Sequence, residues 1–147
     1  MIPRKPLQEG RTWYLDACVI DETYLRKLIR DASRHKSTLI ISHLSFGEAY
    51  YTTLSKHGRQ QADTLIETVS GFLETGVIGM IDHDEANTMI LRVHEHTIEL
   101  AFADTVHLGT ALSMRCEYLI TTDSDLLEQK SAVRTISGPI ETIIRTP

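Results

Sequence analysis

Four carboxylates stand where a folded chain could gather them. Asp16 closes the run Trp13-Tyr14-Leu15, Glu48 follows Ser45-Phe46-Gly47, Asp104 follows Phe102-Ala103, and Asp123 follows Leu119-Ile120-Thr121-Thr122. Apolar strands that stop on acids commonly line the crevice at the carboxyl edge of an α/β sheet. Acids that meet there repel one another. Two carboxylates ~5 Å apart cost roughly 3 kcal/mol at an effective dielectric of ~20. Protons or cations must relieve such a cluster. Hard oxygen donors select Mg²⁺ or Mn²⁺, so the chemistry on offer is metal-assisted.

Each acid also has an ordinary local role to weigh. Asp16 could cap a helix, but the next helical pattern starts near Asp21 and Glu22, which are better caps. Ser45-Phe46-Gly47-Glu48 fits a capping box. Ser42 can cap that helix instead, which sets Glu48 about two turns in, beside Gly47 and Ala49. These small neighbours are expected to admit a close backbone and leave room for an ion. Asp104 could simply favour a helix dipole, worth ~0.3–1 kcal/mol. Its helix is otherwise small and apolar (Val106, Gly109, Ala111, Leu112), so the acid is expected to face a site. Asp123 and Asp125 bracket Ser124. Asp123 is the preferred site acid and Asp125 an accessory one. Thr121 can hydrogen-bond a carboxylate or a phosphate oxygen.

The other reactive side chains read more plainly. His94 and His96 point apart on a helix and do not form a ligand pair. His107, one turn beyond Asp104, could touch substrate but reads more simply as a satisfied helical histidine. His43 and His83 read as loop or cap residues, and Cys18 as a small buried thiol. GxSxG, Walker and GxGxxG patterns are absent, which removes the main support for serine-hydrolase, P-loop and dinucleotide readings.

Strands and helices must position these acids. Strands are expected at 12–16, 38–41, 77–81, 118–121 and 133–137. Helices are expected at 21–34, 42–55, 59–75, 84–99 and 103–115, with a short helix or turn at 124–130 and a helical turn at 140–145. Gly76 suits a helix C-terminus, and Gly138-Pro139 punctuates the last segment. The alternation predicts a three-layer α/β/α sandwich with a mainly parallel sheet of about five strands. Residues 1–11 read as a loose lead-in, and 12–147 as one domain.

Composition narrows the class. The chain has 147 residues, 41% hydrophobic and 24% charged, an ordinary globular balance. No apolar run is long enough for a membrane span, and the first ten residues lack a signal core, so a cytoplasmic protein is expected. Two cysteines offer neither a disulfide framework nor zinc spacing. Net charge is −5, which argues against a generally basic nucleic-acid binder. The charge is uneven, however: residues 1–60 carry ten Lys/Arg against six Asp/Glu, and residues 61–147 five against fourteen. Arg26, Lys27 and Arg30 on the first helix are the candidate phosphate-facing side chains, with a solvated face as the alternative.

Taken in order, four segments resemble the PIN-domain family. They are Tyr14-Leu15-Asp16-Ala17-Cys18-Val19-Ile20, Ile41-Ser42-His43-Leu44-Ser45-Phe46-Gly47-Glu48-Ala49, Ala103-Asp104-Thr105-Val106-His107-Leu108-Gly109-Thr110-Ala111 and Leu119-Ile120-Thr121-Thr122-Asp123-Ser124-Asp125-Leu126. The resemblance implies an α/β/α metal-dependent nuclease, and many bacterial and archaeal members are VapC-type toxins of toxin–antitoxin pairs that cut RNA. It matches Asp16, Glu48, Asp104 and Asp123 to the family's acidic quartet, with Asp16, Asp104 and Asp123 holding Mg²⁺ or Mn²⁺. It implies a small antitoxin and a homodimer. It also exposes two departures: Ala17 and Cys18 stand where a hydroxyl is common, and the first strand starts later than usual. Two rivals are weaker. A PIN-like scaffold that binds RNA or protein without cutting has no reason to keep four repelling acids. A haloacid-dehalogenase-type phosphatase wants an Asp two residues after the first, where Cys18 stands.

Overall fold

A computed structural model describes residues 11–97, 99–136 and 142–147. Five parallel strands, β1 (Thr12–Leu15), β2 (Thr38–Ser42), β3 (Ile78–Ile81), β4 (Tyr118–Ile120) and β5 (Ile143–Arg145), form one sheet in the order β3-β2-β1-β4-β5. β1 sits at its centre. Trp13 lies opposite Leu39 and Tyr118, and Tyr14 opposite Ile40 and Leu119. Every residue of β1 is buried, as expected of a strand covered on both faces.

Alternate side chains of that strand enter different cores. Trp13 and Leu15, with Leu39 and Ile41, pack against α1 (Glu22–Arg34), α2 (His43–His57) and α3 (Arg59–Glu74) through Leu25, Leu28, Ala49, Leu65 and Val69. Tyr14, Ile40 and Leu119 face the other way. They meet α4 (Asn87–His96), α5 (Phe102–Ser113), α6 (Ser124–Leu127) and α7 (Lys130–Ile136) through Val93, Leu108, Leu112, Leu126 and Val133. The result is the α/β/α sandwich expected from the alternation of elements.

Local chemistry fixes several helix ends. The Asp21 carboxylate accepts the Tyr24 N–H and starts α1. Ser42 caps α2 by a reciprocal pair of bonds with Ser45, which frees Glu48 from that duty. After α3, Gly76 takes φ +76°, where a side chain would be strained, and the Gly76 and Val77 N–H groups return to Leu73 and Phe72 carbonyls.

Three expectations need correction. The run read as a strand at 133–137 is helical through Ile136, in α7. Val133 and Ile136 are one turn apart and both buried in the second core, which a helix achieves and a strand would not. The fifth strand is β5, where a helical turn at 140–145 is predicted; Tyr118 pairs with Ile143 and Ile120 with Arg145. The helix predicted at 84–99 is a 3₁₀ turn, Asp84–Ala86, followed by α4. Residues 1–10 of the lead-in and Gly138-Pro139 lie outside the described residues. No helix among the described residues is long and apolar enough to cross a membrane.

The close approach expected at Gly47 occurs instead at Gly109. Nothing lies within 4 Å of where a Gly47 side chain would begin, whereas a methyl on Gly109 would sit 2.6 Å from Ile90 Cγ1 and 2.7 Å from Ile90 Cα. α5 therefore needs glycine to seat α4. Gly109→Ala should cost about 1–3 kcal/mol through overpacking, against a smaller gain in helix propensity. Thermal unfolding should shift down by roughly 3–10 °C; an unchanged midpoint would show that α4 yields freely.

Candidate metal centre

The sheet order creates the site. From β1 the chain builds outward through β2 to β3 on one side, whereas β4 and β5 lie on the other, so the switch point falls between β1 and β4. Crevices at the carboxyl ends of such strands are where α/β sheets place ligands. Asp16 immediately follows β1, and its N–H still pairs with Ile120 O at 3.0 Å. Asp123 follows β4, and Asp104 lies in the first turn of α5. One ligand oxygen from each of Asp16, Asp104 and Asp123 lies within 4.8 Å of the other two.

Asp16 is held from several directions. It is only 5% exposed. Its Oδ1 accepts the Ala17 N–H at 2.8 Å, so it does cap a short 3₁₀ turn, Ala17–Val19, a helix too brief to foresee. Its Oδ2 accepts the Thr121 hydroxyl at 2.8 Å and the Cys18 thiol at 3.2 Å. Thr121 Oγ1 in turn accepts the Asp123 N–H at 2.9 Å, tying the ends of β1 and β4 together. Such outer hydrogen bonds orient a carboxylate toward a metal. Cys18 corrects an expectation: the residue is exposed, not buried, although its Sγ also meets the Thr122 N–H at 3.3 Å. Its thiol thus supplies a contact to Asp16 at a position where the resemblance leads one to expect a hydroxyl.

Asp123 Oδ1 accepts the Asp125 N–H at 2.9 Å and caps α6. Asp125 itself is exposed and contributes a backbone group, with its carboxylate outside the three-acid group. Glu48 also stands outside that group. Its Oε1 lies 2.5 Å from His107 Nε2, which is also 3.6 Å from Asp16 Oδ1. The opposite ring nitrogen, Nδ1, is 2.6 Å from Tyr14 Oη. Burial drives the Tyr14 hydroxyl well above its usual value, so it stays protonated. His107 is wholly buried, and its contacts with Glu48 and Tyr14 are what sequence reading missed. A polar residue on an otherwise apolar helix face was the available signal.

The α1 side chains are less committed to the site. Arg26, Lys27 and Arg30 are exposed, and Lys27 Nζ pairs with Asp31 at 2.9 Å. α1 starts at the carboxyl edge and runs away from it at about 1.5 Å per residue, so Arg26 is nearer the crevice than Arg30.

The fold resembles solved structures more clearly than the sequence resembles anything. No family model matches the chain, and no curated protein matches its sequence. The structure is similar to that of DNA-bound VapBC from Salmonella typhimurium, with TM-score 0.61 and 15% identity over 91% of this chain and 97% of that one. It is similar to VapBC2 from Rickettsia felis bound to a promoter DNA fragment, with TM-score 0.62 and 14% identity over 92% and 98%. It is also similar to PAE2754 from Pyrobaculum aerophilum, with TM-score 0.58 and 18% identity over 92% and 84%. The chain has a PIN-domain, VapC-like fold.

Within this PIN-like frame the donor chemistry suits a hard divalent cation. The three converging groups are all carboxylates, from β1, α5 and the β4–α6 loop. Mg²⁺ and Mn²⁺ favour such oxygen donors and complete their shell with water. A cleft of about 360 Å³ beside the end of β3, lined by His43, Asp82, Glu85, Thr110 and Met114 among others, includes none of the three aspartates. The convergence of acids, rather than the size of a hollow, locates the chemistry.

Electrostatics make the same point. Burial, reinforced by the charges of Asp123 and Asp16, pushes Asp104 up to about 6. A carboxyl raised in the folded state stabilises the protein below its unfolded value and loses that contribution as pH climbs through the folded one. The metal-free PIN-like domain should therefore lose stability from this group between about pH 4 and pH 6–7, while Mn²⁺ affinity tightens over the same interval. Calorimetric Mn²⁺ titration at pH 5.5 and 7.5 would measure it; equal affinities would show that Asp104 is not a ligand.

Proposed function

We propose that this protein is a divalent-metal-dependent ribonuclease that hydrolyses RNA phosphodiester bonds, as the toxin of a two-protein pair. The carrying observation is the convergence of Asp16, Asp104 and Asp123 within 4.8 Å at the switch point of the sheet. The PIN-like fold, shared with the VapBC structures, supports the same reading.

Asp16, Asp104 and Asp123 would hold Mg²⁺ or Mn²⁺. When bound, that cation supplies charge neutralisation at the scissile phosphate and a water of lowered pKa. Thr121 and the Cys18 thiol keep Asp16 in its ligand orientation. Glu48, outside the cage and open to solvent on one side, accepts a proton from the attacking water or orients it. Asp125 organises Asp123 through its backbone. Arg26 and Arg30 would meet substrate phosphates flanking the cut. Without a cation the crevice repels RNA, so metal binding precedes productive substrate binding.

The partner in this reading is a small antitoxin that offers a basic side chain to the acidic crevice, and the toxin is a homodimer. Incubation of the purified protein with a panel of structured RNAs, in Mn²⁺, Mg²⁺ or chelator, tests the activity. Cleavage confined to the metal-containing arms supports the assignment. Cleavage that persists in chelator, or no cleavage in any arm, defeats it.

A further inference from the structure

The buried imidazole of His107, on α5, lies beside two acids of the crevice, Glu48 and Asp16. It lies on the turn after Asp104, with its ring fully shielded from solvent. We propose that His107 is a positioning residue that fixes Glu48 beside the aspartate cage, so that Glu48 serves the attacking water rather than the cation. The proposal rests on the nuclease reading above.

The hydrogen-bond order supports this. A carboxylate accepts, so the Nε2 proton of His107 is donated to Glu48, 2.5 Å away. In the tautomer with hydrogen on Nε2 alone, Nδ1 accepts from the Tyr14 hydroxyl at 2.6 Å. Tyr14 Oη then accepts from Ser42 Oγ at 2.7 Å. Ser42 Oγ is itself fixed by the Ser45 N–H at 3.0 Å, and Ser45 Oγ donates to the Ser42 carbonyl at 3.1 Å. In that tautomer an unbroken run of hydrogen bonds joins the Ser42 cap of α2 to Glu48. Glu48 sits on the same helix that Ser42 caps. The network closes a loop through β1, α5 and α2, which pins the carboxylate relative to Asp16.

The geometry also separates two roles. Glu48 retains 36% side-chain exposure, whereas His107 has none, so the acid can meet a solvent water while the imidazole cannot. His107 Nε2 is also 3.6 Å from Asp16 Oδ1, so one ring nitrogen lies beside both acids.

The test compares His107→Leu and His107→Gln with the wild type in Mn²⁺. Gln can present an N–H toward Glu48, and Leu cannot. Both variants should keep the Mn²⁺-induced rise in melting temperature, because the three aspartates remain. His107→Leu should lower kcat by roughly 10–100-fold with little change in KM, the usual scale for loss of an outer hydrogen-bond partner. His107→Gln should recover most of that loss. In the wild type without metal, a slowly exchanging low-field proton on His107 Nε2 should appear by NMR and vanish in Glu48→Ala.

Several results would overturn the proposal. One is a His107→Leu enzyme with wild-type kcat. Another is a Gln variant no better than Leu, and a third is loss of the Mn²⁺ shift, which would assign His107 to the cage. A resonance that survives Glu48→Ala unchanged would also sink it. If His107→Leu fails to fold, the Gln variant and the resonance still decide. A wild type that binds Mn²⁺ yet cuts no RNA defeats the nuclease reading itself and this role with it, an outcome distinct from a cutting enzyme indifferent to position 107.

Discussion

Asp16→Asn should abolish RNA cleavage and leave the fold intact. Asp16 is the cage residue with the most preparation around it, accepting the Ala17 N–H, the Thr121 hydroxyl and the Cys18 thiol. Asn keeps the oxygen that caps the 3₁₀ turn. Its amide can donate to Thr121 Oγ1, which has a second lone pair beside the one that accepts the Asp123 N–H. The folding penalty should therefore be about 1 kcal/mol, the net worth of one hydrogen bond. In the proposed mechanism the exchange removes a full negative charge from the three-acid group that would hold the cation. The activity loss should exceed the roughly 10–100-fold typical of outer-shell changes. Single-turnover cleavage beside circular dichroism would measure both, and metal-dependent activity near the wild-type level in the Asn protein would remove Asp16 from the mechanism.

The second large effect is on stability, and it has opposite signs with and without metal. Mn²⁺ at about 100 times its dissociation constant stabilises a folded protein by about 2.7 kcal/mol. For a chain of this size that corresponds to a melting shift of roughly 5–10 °C. Asp104→Asn should remove most of that shift. In chelator at pH 8, the same variant should melt higher than the wild type, because burial and the charges of Asp123 and Asp16 oppose ionisation of Asp104. After screening of this half-buried group, the gain is about 1 kcal/mol. A scaffold that binds RNA or protein without a cation would show no Mn²⁺ shift. A destabilised Asp104→Asn protein in chelator would mean that Asp104 serves the fold rather than the cage.

How much of this was readable in advance depends on the range over which each signal acts. The acids could be found because α1 and α2 have better caps of their own, although Asp16 and Asp123 also cap the short turns that follow them. Asp21 and Ser42 are better caps than Asp16 and Glu48, and the structure uses both as caps. The 3.6-residue spacing that predicts these helices also sets Leu25, Leu28 and Ala32 on one face of α1 and Ala62, Leu65 and Val69 on one face of α3, and all six are buried. By contrast, Val133 to Ile136 satisfies strand propensity and helix spacing equally well. Only the presence of Val93, Leu126 and Ile144 around it selects the helix. The three-residue β5 carries too little local preference to declare itself, and exists because β4 offers it a free edge.

The site divides the same way. Asp16, Asp104 and Asp123 are marked by their places in the chain, since each follows or opens an element that must end near the carboxyl edge of the sheet. Their separation of 4.8 Å or less, and the exclusion of Glu48 from the group, depend on where α2 and α5 settle. His107 shows locally only as a polar residue on an apolar helix face; its partners, Tyr14 and Glu48, are 93 and 59 residues away in the chain. Gly109 likewise matters only because Ile90 lies against it, whereas Gly47, the glycine expected to admit a neighbour, has none. The amino-acid sequence by itself determined the alternating elements, most of the helix ends and the acids available for chemistry, because periodicity and capping are settled within a few residues. The tertiary structure alone decided which acids meet, which one is held apart, and which groups an internal imidazole touches, because those outcomes are contacts between elements that no single segment encodes.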